Sequence, residues 1–322
     1  MNPAAYRKKM EKQVRAAARN MKKHAAAFLK ASTAKKRQRA LAGVGQLEEA
    51  RDLALARRLA ANPEEPTRLR VAAIAQLTPL LADGKTTLKL LIDQLGNPDE
   101  PAAVRGAALM MLKAAAFHSS ALQSLRPRYI ESLRAAAEAT HPTLRQRALG
   151  VLARERDAPT LNKLENGLRN PAKALVSPEK ALQLLSYDPK RDIQDVLVQM
   201  VKKPPTPEAQ QQALRNLAAQ GGSRRILENV LKNKKESKEA RVIAMAGLQS
   251  LAPLRATDLV ENIVADPKEN ETLREAGLVA ATTFGPRMSS EKLRKGAAQL
   301  QKSAKQPSTR REAARYLAKP SE

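Results

Sequence analysis

Arg105-Gly-Ala-Ala108-Leu109-Met-Met-Leu112 decides how this chain folds. In general form it is a basic residue, two variable residues, Ala, an apolar residue, two more variable residues and Leu. The phrase recurs along the 322 residues, with its central small residue at Ala40, Ala73, Ala108, Ala148, Ala181, Ala213, Ala244, Gly277 and Ala313. The intervals are 33, 35, 40, 33, 32, 31, 33 and 36 residues, and a period of this length marks a repeat array. Three positions before the centre stand Arg37, Arg70, Arg105, Arg145, Arg241, Arg274 and Arg310, with Pro178 and Gln210 in the other two copies. Four positions after it stand Leu77, Leu112, Leu152, Leu185, Leu217, Leu248 and Leu317, with Val44 and Ala281 as variants.

These positions share one face of a helix, so each phrase predicts a helix with a narrow apolar stripe and a small residue where a neighbour approaches. Prolines mark the helix starts, and Ser177-Pro178 and Thr206-Pro207 read as cap followed by first helical residue. Thr309-Arg-Arg-Glu312 fits a capping box. Between phrases lies a second helical segment, as in Leu47–Ala60, Thr86–Leu95 and Ile193–Val201. Turns such as Asn62-Pro63, Gly96-Asn97-Pro98-Asp99, Gly221-Gly222 and Asp266-Pro267 separate the pieces. Each repeat is helix, turn, helix. One pair cannot bury its own stripe, but stacked pairs can. The 40-residue interval carries extra residues around Phe117-His118-Ser119-Ser120, for which a longer helix is expected ahead of a binding loop.

Composition agrees with closely stacked helices. Apolar residues make up 43% but aromatics only 2%, and Trp is absent. No cysteine is present, which excludes disulfides, thiolate zinc sites and a thiol nucleophile. No apolar run is long enough for a transmembrane helix, and no apolar core follows the basic N-terminus as in a secretory signal. A soluble cytoplasmic protein is expected. Net charge is +26 and uneven: residues 1–40 carry +12 and residues 287–319 carry +8, while the 246 residues between carry +7.

Residues 3–31 read as one basic amphipathic helix capped by Asn2. Tyr6, Met10, Val14, Ala17, Met21, Ala25 and Phe28 fall on one face, with basic residues over most of the rest. The helix either covers the first layer of the stack or serves as a polyanion-binding element. A membrane-surface role is the weakest reading, because only Tyr6 and Phe28 are bulky anchors. The expected organisation is a basic N-terminal helix over 1–32, a repeat array over 33–317 and a short tail over 318–322.

The stretch Asn97-Pro98-Asp99-Glu100-Pro101-Ala-Ala-Val104-Arg105-Gly-Ala-Ala108-Leu109 resembles a HEAT repeat of the short bacterial type. The resemblance covers about residues 33 to 317. It implies an all-α fold, a right-handed α-solenoid of about nine two-helix repeats in a single elongated domain. It also implies that the phrase arginines, Arg37, Arg70, Arg105, Arg145, Arg241, Arg274 and Arg310, form a structural ladder. Their partners would be carboxylates or carbonyls of the turn or of a neighbouring repeat, with Glu64, Glu65, Asp99 and Glu100 close by. HEAT-like arrays mostly hold proteins or nucleic acids. Two enzymatic lineages can be compared by residue. HEAT-like alkylpurine glycosylases use Trp and Tyr with an Asp, and here Tyr6, Tyr129, Tyr187 and Tyr316 are scattered. HEAT-like diiron hydroxylases use His-Glu pairs, and here His24, His118 and His141 precede Ala, Ser and Pro.

No catalytic set, metal site or cofactor is expected. Gly43-Val-Gly45 is not a phosphate loop, and Ser177-Pro-Glu-Lys180 and Ser289-Ser-Glu-Lys292 lack companion motifs. The candidate polyanion-binding residues are Lys8, Lys9, Lys12, Arg15, Arg19, Lys22, Lys23, Lys35, Lys36 and Arg39 at one end. At the other end they are Lys292, Arg294, Lys295, Lys302, Lys305, Arg311 and Arg315. Lys232, Lys234, Lys235 and Lys238 form a third cluster in a turn. The leading functional reading is a non-enzymatic scaffold holding a polyanionic partner, nucleic acid through its phosphates. The alternative is an adaptor whose curved face holds an acidic or helical protein.

Overall fold

The structure, a computed structural model of the chain, describes residues 3–318 apart from 83, 117–118, 221–222 and 285–289. Several α1 side chains, including those of Lys8, Arg15, Arg19 and Lys22, also lie outside the described set. The expectations placed on Asn2, Phe117-His118, Gly221-Gly222, Ser289 and the last tail residues fall outside the described residues.

Among the described residues every regular element is helical. The chain divides into two compact units, Met1–Glu155 and Arg156–Glu322. The first pairs α1 (Pro3–Lys30) with α2 (Ala34–Gly43), α3 (Ala50–Ala61) with α4 (Thr67–Ala75), and α5 (Lys85–Gly96) with α6 (Ala102–Ala115). After the short α7 (Ser120–Ser124), it pairs α8 (Arg126–Ala137) with α9 (Pro142–Arg154). The second unit pairs α10 (Ala158–Arg169) with α11 (Pro178–Leu185) and α12 (Gln194–Lys202) with α13 (Pro207–Gln220). It continues with α14 (Arg224–Lys232) and α15 (Lys238–Leu251), α16 (Pro253–Ala265) and α17 (Glu271–Phe284), and α18 (Glu291–Ser303) and α19 (Pro307–Leu317).

Every phrase centre lies on the second helix of a pair, and every centre is buried. In the first unit the phrase helices α2, α4, α6 and α9 pack one on the next; in the second, α11, α13, α15, α17 and α19 do the same. The small centre is what permits this. A Cβ added to Gly277 would meet Val264 Cγ2 on the paired helix α16 at 2.7 Å, so at this copy even Ala would crowd its partner. The Leu four residues on is buried with it in six copies, from Leu77 to Leu248, while Leu317 is half-buried.

Four of the turns between paired helices are built alike. Asn62, Asn97, Asn233 and Asp266 each accept, through side-chain Oδ1, the N–H two residues on, at 3.1, 3.0, 3.1 and 2.9 Å. The N–H groups of Glu65, Glu100, Glu236 and Glu269 then close the turn onto the carbonyl of that same Asn or Asp. Such Asx-capped turns pre-form the loop, and each leaves a glutamate at its fourth position. At the helix starts, Thr206 Oγ1 accepts from the Ala209 N–H with Pro207 in first place. Ser177 instead donates its hydroxyl to the Glu179 carboxylate.

Two local expectations need correction. The extra residues of the 40-residue interval do not lengthen a helix; they form the separate α7, capped by Ser119, whose hydroxyl accepts from Leu122 N–H and donates to the Ala82 carbonyl. Thr309 is not the cap of α19. It lies three residues inside that helix, fully buried, and donates to Glu275 at 2.6 Å.

Ala244 is fully buried between layers, so Ala244→Leu is expected to lower stability by about 1–3 kcal/mol through overpacking. Met110→Leu, on an exposed side chain, is expected to change it by less than about 0.5 kcal/mol. Urea unfolding midpoints compare the two.

Candidate functional site

The phrase arginines sit at the fourth position of their helices, near an N-terminus where a cation is unfavourable. Their side chains leave that end. Arg70, Arg105, Arg241 and Arg274 each donate Nε to the carbonyl ten residues earlier, on Ala60, Leu95, Leu231 and Val264, at 3.2, 3.0, 2.9 and 2.9 Å. Those carbonyls belong to the last turn of the preceding helix, the negative end of its dipole. The cation therefore caps one helix while being carried by the next.

Three of these arginines also reach forward to the following repeat. Arg37 meets Glu65 at 3.1 Å, Arg70 meets Glu100 at 2.6 Å, and Arg241 meets both Glu269 oxygens at 2.7 Å. The glutamate in each case is the one left at the fourth position of the Asx turn. It stands eight residues before the next phrase centre, a register not apparent from the phrase itself. Gln210 follows the same plan without a charge: its Nε2 donates to the Val201 carbonyl at 3.2 Å and to Glu236 at 2.9 Å.

Where the register carries no glutamate, the rung is incomplete. Arg105 is buried, the position eight before the next centre is Thr140, and its Nη2 has no hydrogen-bond partner. Burial pulls its pKa down. Arg145 donates to the Ala139 carbonyl at 3.1 Å. Arg274 uses Gln299 at 3.2 Å in place of a carboxylate. Arg310 is exposed, and no later turn in the described residues supplies a glutamate, so it stands apart from the other phrase arginines.

The candidate polyanion-binding residues fall into two sets with different surroundings. In the first unit, Lys9, Lys12 and Lys23 on α1 and Lys35, Lys36 and Arg39 on α2 are exposed. Among the described residues none of the six has a carboxylate partner. α1 is anchored at its C-terminal end, where Phe28 is fully buried, while Tyr6, Met10 and Val14 are exposed. In the second unit the cations are more engaged. Lys292 donates to Asn262, Arg294 to the Leu317 carbonyl at 3.3 Å, and Lys295 pairs with Glu291 at 2.7 Å. Arg315 pairs with Glu312 at 3.7 Å. Lys302, Lys305 and Arg311 are exposed. Of the third cluster, Lys232, Lys234 and Lys238 pair with Glu228, Asp266 and Glu239, and Lys235 is exposed.

Among the described residues no group of His, Asp and Glu is arranged to hold a metal ion. His24 lies half-buried beside Gly43, and His141 is the residue before α9. Tyr129 and Tyr316 are buried; burial pushes the Tyr129 hydroxyl up to about 12. Neither ring is placed to stack on a base. Among the described residues no helix is long and apolar enough to cross a membrane.

No protein-family model matches the chain. No curated protein matches it in sequence. Solved structures do match in fold. Kap121p is similar with a TM-score of 0.56 at 13% identity over 92% of this chain, and Kap121p bound to Pho4p with a TM-score of 0.52 at 14% identity over 92%. The chain spans 41% and 36% of the length of those two chains. The likeness extends to the fold alone: the chain is an all-helical protein of HEAT-like repeats.

The Arg241–Glu269 pair, both side chains about 5% exposed, makes the ladder testable. Glu269→Ala strands a buried cation and is expected to cost about 3–5 kcal/mol. The Arg241 hydrogen bonds hold the Glu269 carboxyl below its ordinary value of 4.5. The stability this contributes is complete above that ordinary value and is lost as pH falls through the lower, folded value. Urea midpoints taken from pH 7 to pH 3 are expected to fall less steeply in Arg241→Met/Glu269→Met than in the parent.

Proposed function

We propose that the chain is a non-enzymatic repeat scaffold that holds a polyanionic partner, with nucleic-acid phosphates the favoured partner. The observation that carries this is the contrast between two kinds of cation. Arg37, Arg70 and Arg241 are tied to turn glutamates, while Lys9, Lys12, Lys23, Lys35, Lys36 and Arg39 stand exposed without carboxylates among the described residues. Lysines placed this way hold phosphates without reading bases. Among the described residues the exposed aromatic rings are Tyr6 and Tyr187, one in each unit, too few for a run of stacked bases, so binding through the backbone is favoured over binding to unstacked single strands. The exposed cations Lys302 on α18, Lys305 in the turn after it and Arg311 on α19, all in the second unit, would form a second, weaker patch.

An acidic protein is the second reading. It is favoured by the fold likeness to Kap121p, one of whose matching structures is a complex with Pho4p. The two readings separate on defined probes. Binding to a 30-base-pair duplex across 50–200 mM salt is expected to give a log–log slope of about −5, for roughly six phosphate contacts at ~0.9 each. Replacing Lys9, Lys12, Lys23, Lys35 and Lys36 by Gln is expected to flatten that slope by about 0.9 for each phosphate no longer neutralised. No duplex binding at low salt, or a flat slope, contradicts the nucleic-acid reading. Poly-L-glutamate held as tightly as duplex at equal salt assigns the surface to an acidic protein.

A further inference from the structure

One rung of the ladder is absent from the second unit, and a cavity takes its place. The phrase centred on Ala181 carries Pro178 where the others carry Arg or Gln. Ten residues before Pro178 stands Leu168, in the last turn of α10, at the register of the carbonyl that an arginine would engage. Eight residues before the next centre stands Pro205, at the register of the turn glutamate. These three residues, together with Leu164, Val176 and Met200, line a cavity of about 510 Å³. That volume lies within the roughly 300–1,000 Å³ of ligand sites.

The surrounding chain is shaped to keep the space open. Residues 170–177 join α10 to α11, three more than the 62–66 that join α3 to α4. A Cβ on Gly167 would meet Ala174 Cα at 3.0 Å, so glycine lets this longer connection pass close against α10. Leu175 and Val176 then reach the cavity, and among the described residues their amides make no backbone hydrogen bond.

Charge selects the peptide. The charged residues lining the cavity, Arg169 and Lys203, are both cationic. Arg169 is shared between Asp195 at 2.7 Å and Glu165 at 2.9 Å. Lys203 is exposed and has no carboxylate partner among the described residues. A partner's arginine would fit the vacant rung by shape, but it would enter beside the uncompensated Lys203 and find Pro205 in place of a glutamate, an unpaired buried charge. An apolar side chain meets no such penalty.

We infer that this cavity, formed by the missing rung between α10, α11 and α12, receives a bulky apolar side chain from an acidic peptide segment of a partner protein, whose carboxylates face Lys203. The residues of this site belong to the second unit, and the cations of α1 and α2 to the first.

A random octapeptide display library selected on the intact chain tests this, with fluorescence anisotropy on the winning peptide. Enriched sequences are expected to carry Phe, Leu, Ile or Met flanked by Asp or Glu. Pro178→Arg/Pro205→Glu rebuilds the rung in the cavity and is expected to weaken the winner at least tenfold. Lys203→Glu, on an exposed side chain that leaves the packing intact, is expected to weaken it severalfold. The Lys→Gln changes on α1 and α2 are expected to leave it unchanged. Enrichment of basic or purely polar peptides, no enrichment, or equal affinity across the cavity variants overturns the assignment. Concentration-dependent self-association abolished by Pro178→Arg/Pro205→Glu would give the cavity to a second copy of the chain, and so also overturns it.

Discussion

A guanidinium presents five N–H donors in one rigid plane, and this fold uses them in two directions at once. Nε turns back to the carbonyl of the previous helix, as from Arg70 to Ala60 and from Arg241 to Leu231. The terminal nitrogens turn forward to a glutamate of the next turn, as from Arg70 to Glu100 and from Arg241 to Glu269. One side chain thus fixes three segments: the end of one helix, the start of its partner and the turn of the repeat that follows. The apolar stripe drives helices together without setting their register, because burial is non-directional. The fork supplies direction. Lysine, a compact point charge on a flexible stem, lacks that planar geometry, and it stands at this position in none of the nine copies, which carry Arg in seven, Gln210 in one and Pro178 in one.

The ladder also governs what remains on the surface. Each complete arginine rung uses one carboxylate, Glu65, Glu100 or Glu269. Several cations outside the phrase find carboxylates, as Lys234 does in Asp266 and Lys295 in Glu291, while Lys9, Lys12, Lys23, Lys35, Lys36 and Arg39 on α1 and α2 have none among the described residues. The basic character of the chain follows from its two ends, +12 over residues 1–40 and +8 over residues 287–319. The same logic gives the rungs that fail two different outcomes. At Arg105 the cation stays and its partner is missing, leaving a buried unpaired nitrogen. At Pro178 both ends are replaced and the space opens into a cavity.

The repeat is legible in the sequence because its period is carried by Arg, Ala and Leu in fixed register over nine copies, and each copy is a helix in the structure. The glutamate register is harder to see. It is complete only before the centres at Ala73, Ala108, Ala244 and Gly277, and the turns that carry it differ in composition, Asn-Pro in two and Asn-Lys or Asp-Pro in the others. Gln210 is an exception only to a pattern of charge, whereas the geometry asks for a forked donor. Pro178 and Pro205 read as ordinary helix-start and turn prolines; their joint meaning depends on two residues 27 positions apart facing one space, which no local pattern records. Ser119 has the chemistry of a cap, but its Ala-rich context reads as a continuous helix.

The claim that an interrepeat fork, rather than apolar stacking alone, sets this structure is tested most directly by a double-mutant cycle on Arg70 and Glu100. These residues are 30 apart in sequence, with side chains only 2% and 13% exposed. Urea unfolding of the parent, Arg70→Met, Glu100→Met and the double variant gives the coupling energy, and Asp99 in place of Glu100 serves as the control. A coupling of about 1–3 kcal/mol between Arg70 and Glu100, with less than about 0.3 kcal/mol between Arg70 and Asp99, is the expected result. Additive single variants, with no coupling between Arg70 and Glu100, would contradict it.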